Sequence, residues 1–154
     1  MTHYKNEKPN IPLYKLIKNT KKNQEIYINP VSAVMGVIKR KGKFLVVKKY
    51  KSSDYWAFVA GFIEAGESAE KAIEREVKEE TNVKTRAKKI ISTFPYFDEK
   101  IILMIVLELE YISGKAKAND DIKVASWVKL DKYKMKPRTL GRYVFTKWFA
   151  NKKN

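Results

Sequence analysis

Gly61-Phe62-Ile63-Glu64-Ala65-Gly66-Glu67, then Ser68–Ile73, then Glu74-Arg75-Glu76-Val77-Lys78-Glu79-Glu80-Thr81-Asn82-Val83, is the stretch on which the fold turns. Ser68 offers an N-cap, and Ala69–Thr81 is built largely of good helix formers. Asn82 can adopt the left-handed conformation that ends a helix. At roughly 100° per residue, Ala69, Ala72, Ile73 and Val77 fall on one arc. Glu76 and Glu80 fall inside that arc, Glu79 lies at its edge, and Glu70, Lys71, Glu74 and Lys78 lie largely away from it. An ionised carboxylate set in an apolar stripe is costly unless it gains a partner. A bound cation is one partner, and oxygen donors at i, i+3 and i+4 on Glu76, Glu79 and Glu80 suit Mg²⁺ or Mn²⁺. Pairing with Arg75 and neighbouring lysines is the other.

Outward from this segment the chain reads as strands. Val31–Ile38 and Phe44–Val47 flank Arg40-Lys41-Gly42-Lys43, a strand–turn–strand pattern. Trp56–Phe62 is a short apolar segment. Lys89–Phe97 and Ile101–Ser113 follow, and the continuous apolar run Ile101–Leu107 predicts a strand buried on both faces. Asn119-Asp120-Asp121 marks a loop, Val124–Leu130 a further strand, and Asp131 a cap. Thr139–Ala150 carries helical spacing in Leu140, Val144, Phe145, Trp148 and Phe149. Strands around one central helix, with a second helix at the end, make a mixed α/β class. Residues 1–29 read as a basic N-terminal arm, with Pro12 interrupting its apolar cluster, and residues 30–154 as the main domain.

Composition narrows the chemistry. The 154 residues include no cysteine, which excludes disulfides, thiolate metal sites and cysteine nucleophiles. The only histidine is His3, so a Ser-His-Asp triad or a histidine metal site has nothing to stand on. The net charge of +16 favours polyanionic partners such as nucleotides or RNA, though a lysine-rich, solvated surface accounts for it equally well. No stretch reaches the ~20 apolar residues of a membrane span, and Met1–Asn29 lacks a signal-peptide core, so the cytoplasm is the expected compartment.

The central segment resembles the signature of the Nudix hydrolase superfamily, Gly-x5-Glu-x7-Arg-Glu-U-x-Glu-Glu-x-Gly-U, with U a bulky apolar residue. Gly61, Glu67, Arg75, Glu76, Val77, Glu79, Glu80 and Val83 stand in register, and Asn82 replaces the final glycine. Trp56 before the segment and Trp127-Val128-x-Leu130-Asp131 after it are similar to Nudix surroundings, so the likeness runs from about Val31 to about Asp131. It implies an α/β/α sandwich with a mixed β-sheet. It also implies metal-dependent hydrolysis of a phosphoanhydride in a nucleoside diphosphate linked to another moiety. By the same resemblance Glu76, Glu79 and Glu80 hold the metal, and Glu79 is the candidate base. Arg75 orients Glu67 or Glu79, and Glu67 braces the loop. Gly61 and Gly66 permit the tight loop and a close approach of backbone. Asp120 and Asp121 are candidate additional acids, with Asp98 and Glu99 a second such pair; ordinary polar turns account for both.

The substrate is less legible. Ala60-Gly61-Phe62 is similar to the loop of NADH pyrophosphatases, but Ser92–Asp98 matches that group's marker only loosely, and there are no cysteines for its zinc ribbon. Phe94, Tyr96, Phe97, Tyr55 and Trp56 could form a stacking wall for a base, or simply pack. A nucleotide-type small molecule is the expected partner. RNA along the basic Lys132–Lys153 tail and a homodimer stay open, and a catalytically silent, nucleotide- or RNA-binding module is the alternative.

Overall fold

The computed structural model describes residues 30–52, 54–97 and 101–150. The N-terminal arm, Asp98 and Glu99 lie outside the described residues. The elements in chain order are β1 (Val31–Arg40), β2 (Lys43–Lys49), β3 (Val59–Phe62), α1 (Ala69–Thr81), β4 (Lys84–Phe97), β5 (Ile101–Ser113), β6 (Ile122–Val128) and α2 (Leu140–Trp148). Short 3-10 turns follow β2 and precede α2.

The six strands form one mixed sheet in the order β4-β5-β1-β2-β6, with β3 paired to β1. β1 and β5 run parallel, from Val31↔Ile102 to Ile38↔Leu109, and every other pairing is antiparallel. The central strands are apolar on both faces because both faces are covered. Val34, Ile38, Leu107 and Leu109 pack under α1 with Ile73 and Val77. Ala33, Met35, Val37, Met104 and Val106 face the opposite layer, where Val144 and Phe145 of α2 meet them. This is the expected α/β/α sandwich.

The central helix is bounded as its sequence predicts. The Ser68 hydroxyl accepts from Lys71 N–H at 3.2 Å, and Asn82 closes the helix at φ 62° with its N–H donating to the Lys78 carbonyl. Thr139 caps α2, which ends at Trp148 rather than running to Ala150.

β4 begins at Lys84, five residues before the predicted Lys89. Lys84–Lys88 alternates exposed charge with small inward residues, buried Thr85 and half-buried Ala87, so the period of a strand is there without the apolar content that signals one. Its position at the sheet edge suits that outward charge.

Candidate active site

Loop 63–68 joins β3 to α1, and Gly66 takes φ +86° within it. The Glu67 carboxylate folds back to accept from the Glu64 N–H at 3.0 Å, which ties the loop to itself. Arg75, nearly two turns into α1, then clamps loop and helix together. Its Nε and one terminal nitrogen donate to both Glu67 oxygens at 2.7 and 3.0 Å, and the same terminal nitrogen donates to the Phe62 carbonyl at 3.1 Å. Its other terminal nitrogen donates to Glu76 at 2.9 Å and Glu79 at 3.1 Å. The planar guanidinium fork permits this simultaneous reach, which a lysine ammonium does not. Arg75 therefore pairs with both of the acids proposed for it, and with Glu76 as well. The Arg75 hydrogen bond and the Glu64 N–H hold the Glu67 carboxyl below its usual range, and Arg75 itself is raised by Glu67 first.

The two acids inside the apolar arc are the ones the helix buries. Glu80 is 5% exposed, and Glu76 is largely covered. Glu79 lies at the edge with half its side chain exposed. Burial pushes Glu76 up despite Arg75, and it pushes Glu80 up to about 7. Lys49 opposes that rise in Glu80, while Glu76, Asp121 and Asp120 add to it. Glu80 Oε2 is buried with no hydrogen-bond partner. Asp120 and Asp121 thus stand near enough to Glu80 to be felt, beside Asn119, whose N–H donates to the Glu80 carbonyl. Gly61 lies against the same acids: a Cβ there would overlap the Glu76 carboxylate, so only glycine lets β3 approach so closely.

Among the described residues no three acidic side chains are gathered into a ready-made cation cage. Arg75 takes up Glu76 and Glu79, as the ion-pairing alternative foresaw, and leaves Glu80 alone. The donor set still fits a hard divalent cation. It is all oxygen, it lies on one helix face, and its most buried member has an oxygen that nothing among the described residues satisfies.

Glu74 corrects the helical-wheel expectation that it points away. It is part-buried and accepts from the Ala87 N–H of β4 at 3.0 Å. Burial raises its carboxyl, but the Ala87 N–H and Lys71 together outweigh burial and lower it.

On the α2 face of the sheet lies a cavity of about 270 Å³, joined to the acids through Lys49, whose charge Glu76 and Glu80 feel. Trp56, Tyr55, Tyr96, Met35 and Leu140 line it, with Lys49 at its wall. Phe94 is not among its lining residues. Its ring packs edge-on with Tyr143 and Trp148 of α2 at 5.8 Å each, the packing role that the sequence left open for it.

Lys49 was not singled out by its sequence, where it sits among Lys48 and Lys51. Strand alternation with Leu45 and Val47, which pack under α1, turns Lys49 toward Glu76 and Glu80, whose carboxyls feel its charge.

Comparison with known proteins agrees with this geometry. The NUDIX domain family matches residues 29–149. An ADP-ribose pyrophosphatase of Methanocaldococcus jannaschii is 34% identical over 74% of this chain and 70% of its own. The NAD-capped RNA hydrolase NudC of Pseudomonas aeruginosa is 33% identical over 63% of this chain, which spans only 36% of that longer protein. Among solved structures, a MutT NUDIX hydrolase from Burkholderia pseudomallei superposes with a TM-score of 0.63 at 19% identity, over 75% of this chain and 95% of that one. With the signature acids standing on one loop and helix as they do, the chain belongs to the NUDIX domain family, the Nudix pyrophosphohydrolases.

Proposed function

We propose that the chain hydrolyses, with Mg²⁺ or Mn²⁺, the phosphoanhydride of a nucleoside diphosphate joined to a second moiety, an ADP-ribose-type small molecule first among them. The observation that carries the reading is the buried, unpartnered oxygen of Glu80 next to Glu76. A carboxylate kept in that setting at the expense of folding stability is expected to serve a cation.

When bound, the cation polarises the diphosphate and lowers the pKa of an attacking water. Glu80, Glu76 and Glu79 supply the oxygen donors. Glu79, the most exposed of the three, is the candidate to accept the proton of the water. Arg75 fixes the rotamers of Glu67, Glu76 and Glu79. Glu67 holds the loop, and Gly61 admits the substrate-facing backbone. Lys49 stands between the acids and the cavity, placed to meet phosphate charge. Tyr96 and Trp56 offer faces on which a base can stack, with Lys48 lying 4.7 Å over the outer ring of Trp56.

The ADP-ribose form is favoured because the relative bearing that name is matched over most of its length. The test is incubation with Mg²⁺ and a panel of ADP-ribose, NADH, dinucleoside polyphosphates, nucleoside triphosphates and capped RNA. Metal-dependent release of a nucleoside monophosphate, lost in Glu79→Gln and Glu80→Gln, is expected. Nucleotide binding without turnover, unaffected by either substitution or by chelator, sinks the proposal.

A further inference from the structure

The β1–β2 hairpin and the C-terminal end of α2 enclose a second concavity of about 410 Å³. Lys39, Lys41, Lys43 and Lys129 surround a floor that includes Phe44 and Phe149, and among the described residues none that lines it is acidic. All four lysines are exposed. Lys43 and Lys49 occupy opposite ends of β2, so at about 3.3 Å per residue this groove stands about 20 Å from the acids of α1.

The charges are gathered here against local preference. Lys41 and Gly42 form the two-residue hairpin loop with φ of 49° and 73°. Asn or Gly is the favoured first residue of such a turn, and a lysine there is strained. Arg40, the cross-strand partner of Lys43, carries its guanidinium 3.9 Å over the Tyr111 ring and takes no part in the groove. A merely solvated surface gives no reason to place a cation at the strained Lys41.

We infer that this groove binds the phosphate backbone of a single-stranded nucleic acid. Lysine ammoniums are compact cations for successive phosphates, and they act without base preference. Phe149, half-buried and packed edge-on with Phe44 at 5.7 Å, gives the floor an apolar rim that an unpaired base can contact and a duplex base cannot reach. A concave cleft fits a chain and not a lipid plane. The inference is independent of the hydrolytic activity, because the groove shares no lining residue with the cavity that Lys49 lines.

The experiment is fluorescence anisotropy of a labelled single-stranded 12-nucleotide RNA on the full chain, in chelator so that the acidic site takes no part. With single strands each neutralised phosphate contributes a slope of about −0.7, so four lysines predict about −3 in log K against log salt, roughly 50-fold between 50 and 200 mM. Lys41→Glu/Lys43→Glu/Lys129→Glu is expected to weaken binding more than about tenfold and to flatten the slope by about 2. Lys84→Glu/Lys88→Glu/Lys123→Glu makes the same charge change at other exposed sites and is expected to cost less than about threefold. The corresponding lysine-to-glutamine triples repeat the comparison if either glutamate variant misfolds. Equal losses at the two sets of sites overturn the inference, as does binding by the wild type to anionic phospholipid vesicles with none to the oligonucleotide.

Discussion

Replacing Glu80 by glutamine is expected to make the metal-free protein more stable while abolishing its use of metal. The carboxyl titrates at about 7 in the fold, against an ordinary value of 4.5, chiefly because it is buried. Its folded pKa is raised, so the sign is opposite to that of a salt-bridged acid. Below pH 4.5 both folded and unfolded chains hold the proton, and Glu80 costs nothing. Between pH 4.5 and 7 the unfolded chain ionises while the folded one does not, so stability falls as pH rises and levels off above 7. The full difference corresponds to about 3 kcal/mol, from about 1.4 kcal/mol per pKa unit. Solvent at the helix end and the unmet hydrogen bonds of a buried amide reduce the expected gain in Glu80→Gln to about 1–2 kcal/mol at pH 8, with less than about 1 at pH 5. Urea unfolding followed by tryptophan fluorescence, in chelator at both pH values, measures it. Adding Mg²⁺ at pH 8 is expected to stabilise the wild type and not the variant. A difference between the two proteins that is independent of pH, or a variant less stable at pH 8, refutes the reasoning.

Gly61→Ala puts a methyl group into the Glu76 carboxylate, so metal-dependent turnover is expected to fall at least about tenfold while far-UV circular dichroism is unchanged; near-normal turnover contradicts the close approach. Arg75→Lys keeps the charge and loses the fork that joins Glu67, Phe62, Glu76 and Glu79, with an expected loss of about 1–3 kcal/mol in denaturant unfolding and a lowered kcat; equal stability and rate count against the clamp. Asn82→Gly restores the signature glycine at φ 62° but forfeits the Lys78 contacts to the Asn82 side chain, so stability is expected to shift by less than about 1 kcal/mol with turnover unchanged. A large loss of turnover there shows that the asparagine does more than end the helix.

The parts of the site that were legible are those made by one contiguous segment. The cap at Ser68, the left-handed Asn82 and the burial of Glu76 and Glu80 follow from local geometry and a 3.6-residue period. What was not legible depends on partners far along the chain. Glu74 looks solvent-facing on a helical wheel and becomes bonded only because β4 passes beside it. Lys49 is one lysine among several until α1 packs over the face of β2 that carries Leu45 and Val47 and brings Glu76 and Glu80 within reach of its charge. Phe94 and Tyr96 carry the same face of one strand, yet the end of α2 claims the first ring and leaves the second at the cavity. The start of β4 is not legible because an edge strand needs inward residues on one side only, and there they are Thr85 and Ala87.

That division bears on what this family of sites can vary. The acids, Gly61 and Arg75 form a unit closed within about twenty residues, held by the Arg75 clamp and by contact with β3. The cavity walls are gathered from the end of β2, the segment before β3, the strands β1, β4 and β5, and the start of α2. Tyr55, Trp56, Tyr96 and Leu140 can change without disturbing the clamp, since among the described residues none of them bonds to Arg75, Glu67 or Glu76, whereas the charge of Lys49 is felt by Glu76 and Ala60 adjoins Gly61. In the function proposed above, the segment between Gly61 and Val83 serves the diphosphate and is silent on what it carries, which leaves the attached group to the cavity walls that the folded sheet assembles. For that reason a substitution at Tyr96 or Trp56 is expected to act on KM and on the order of preferred substrates, with metal uptake by the acids of α1 left as it was.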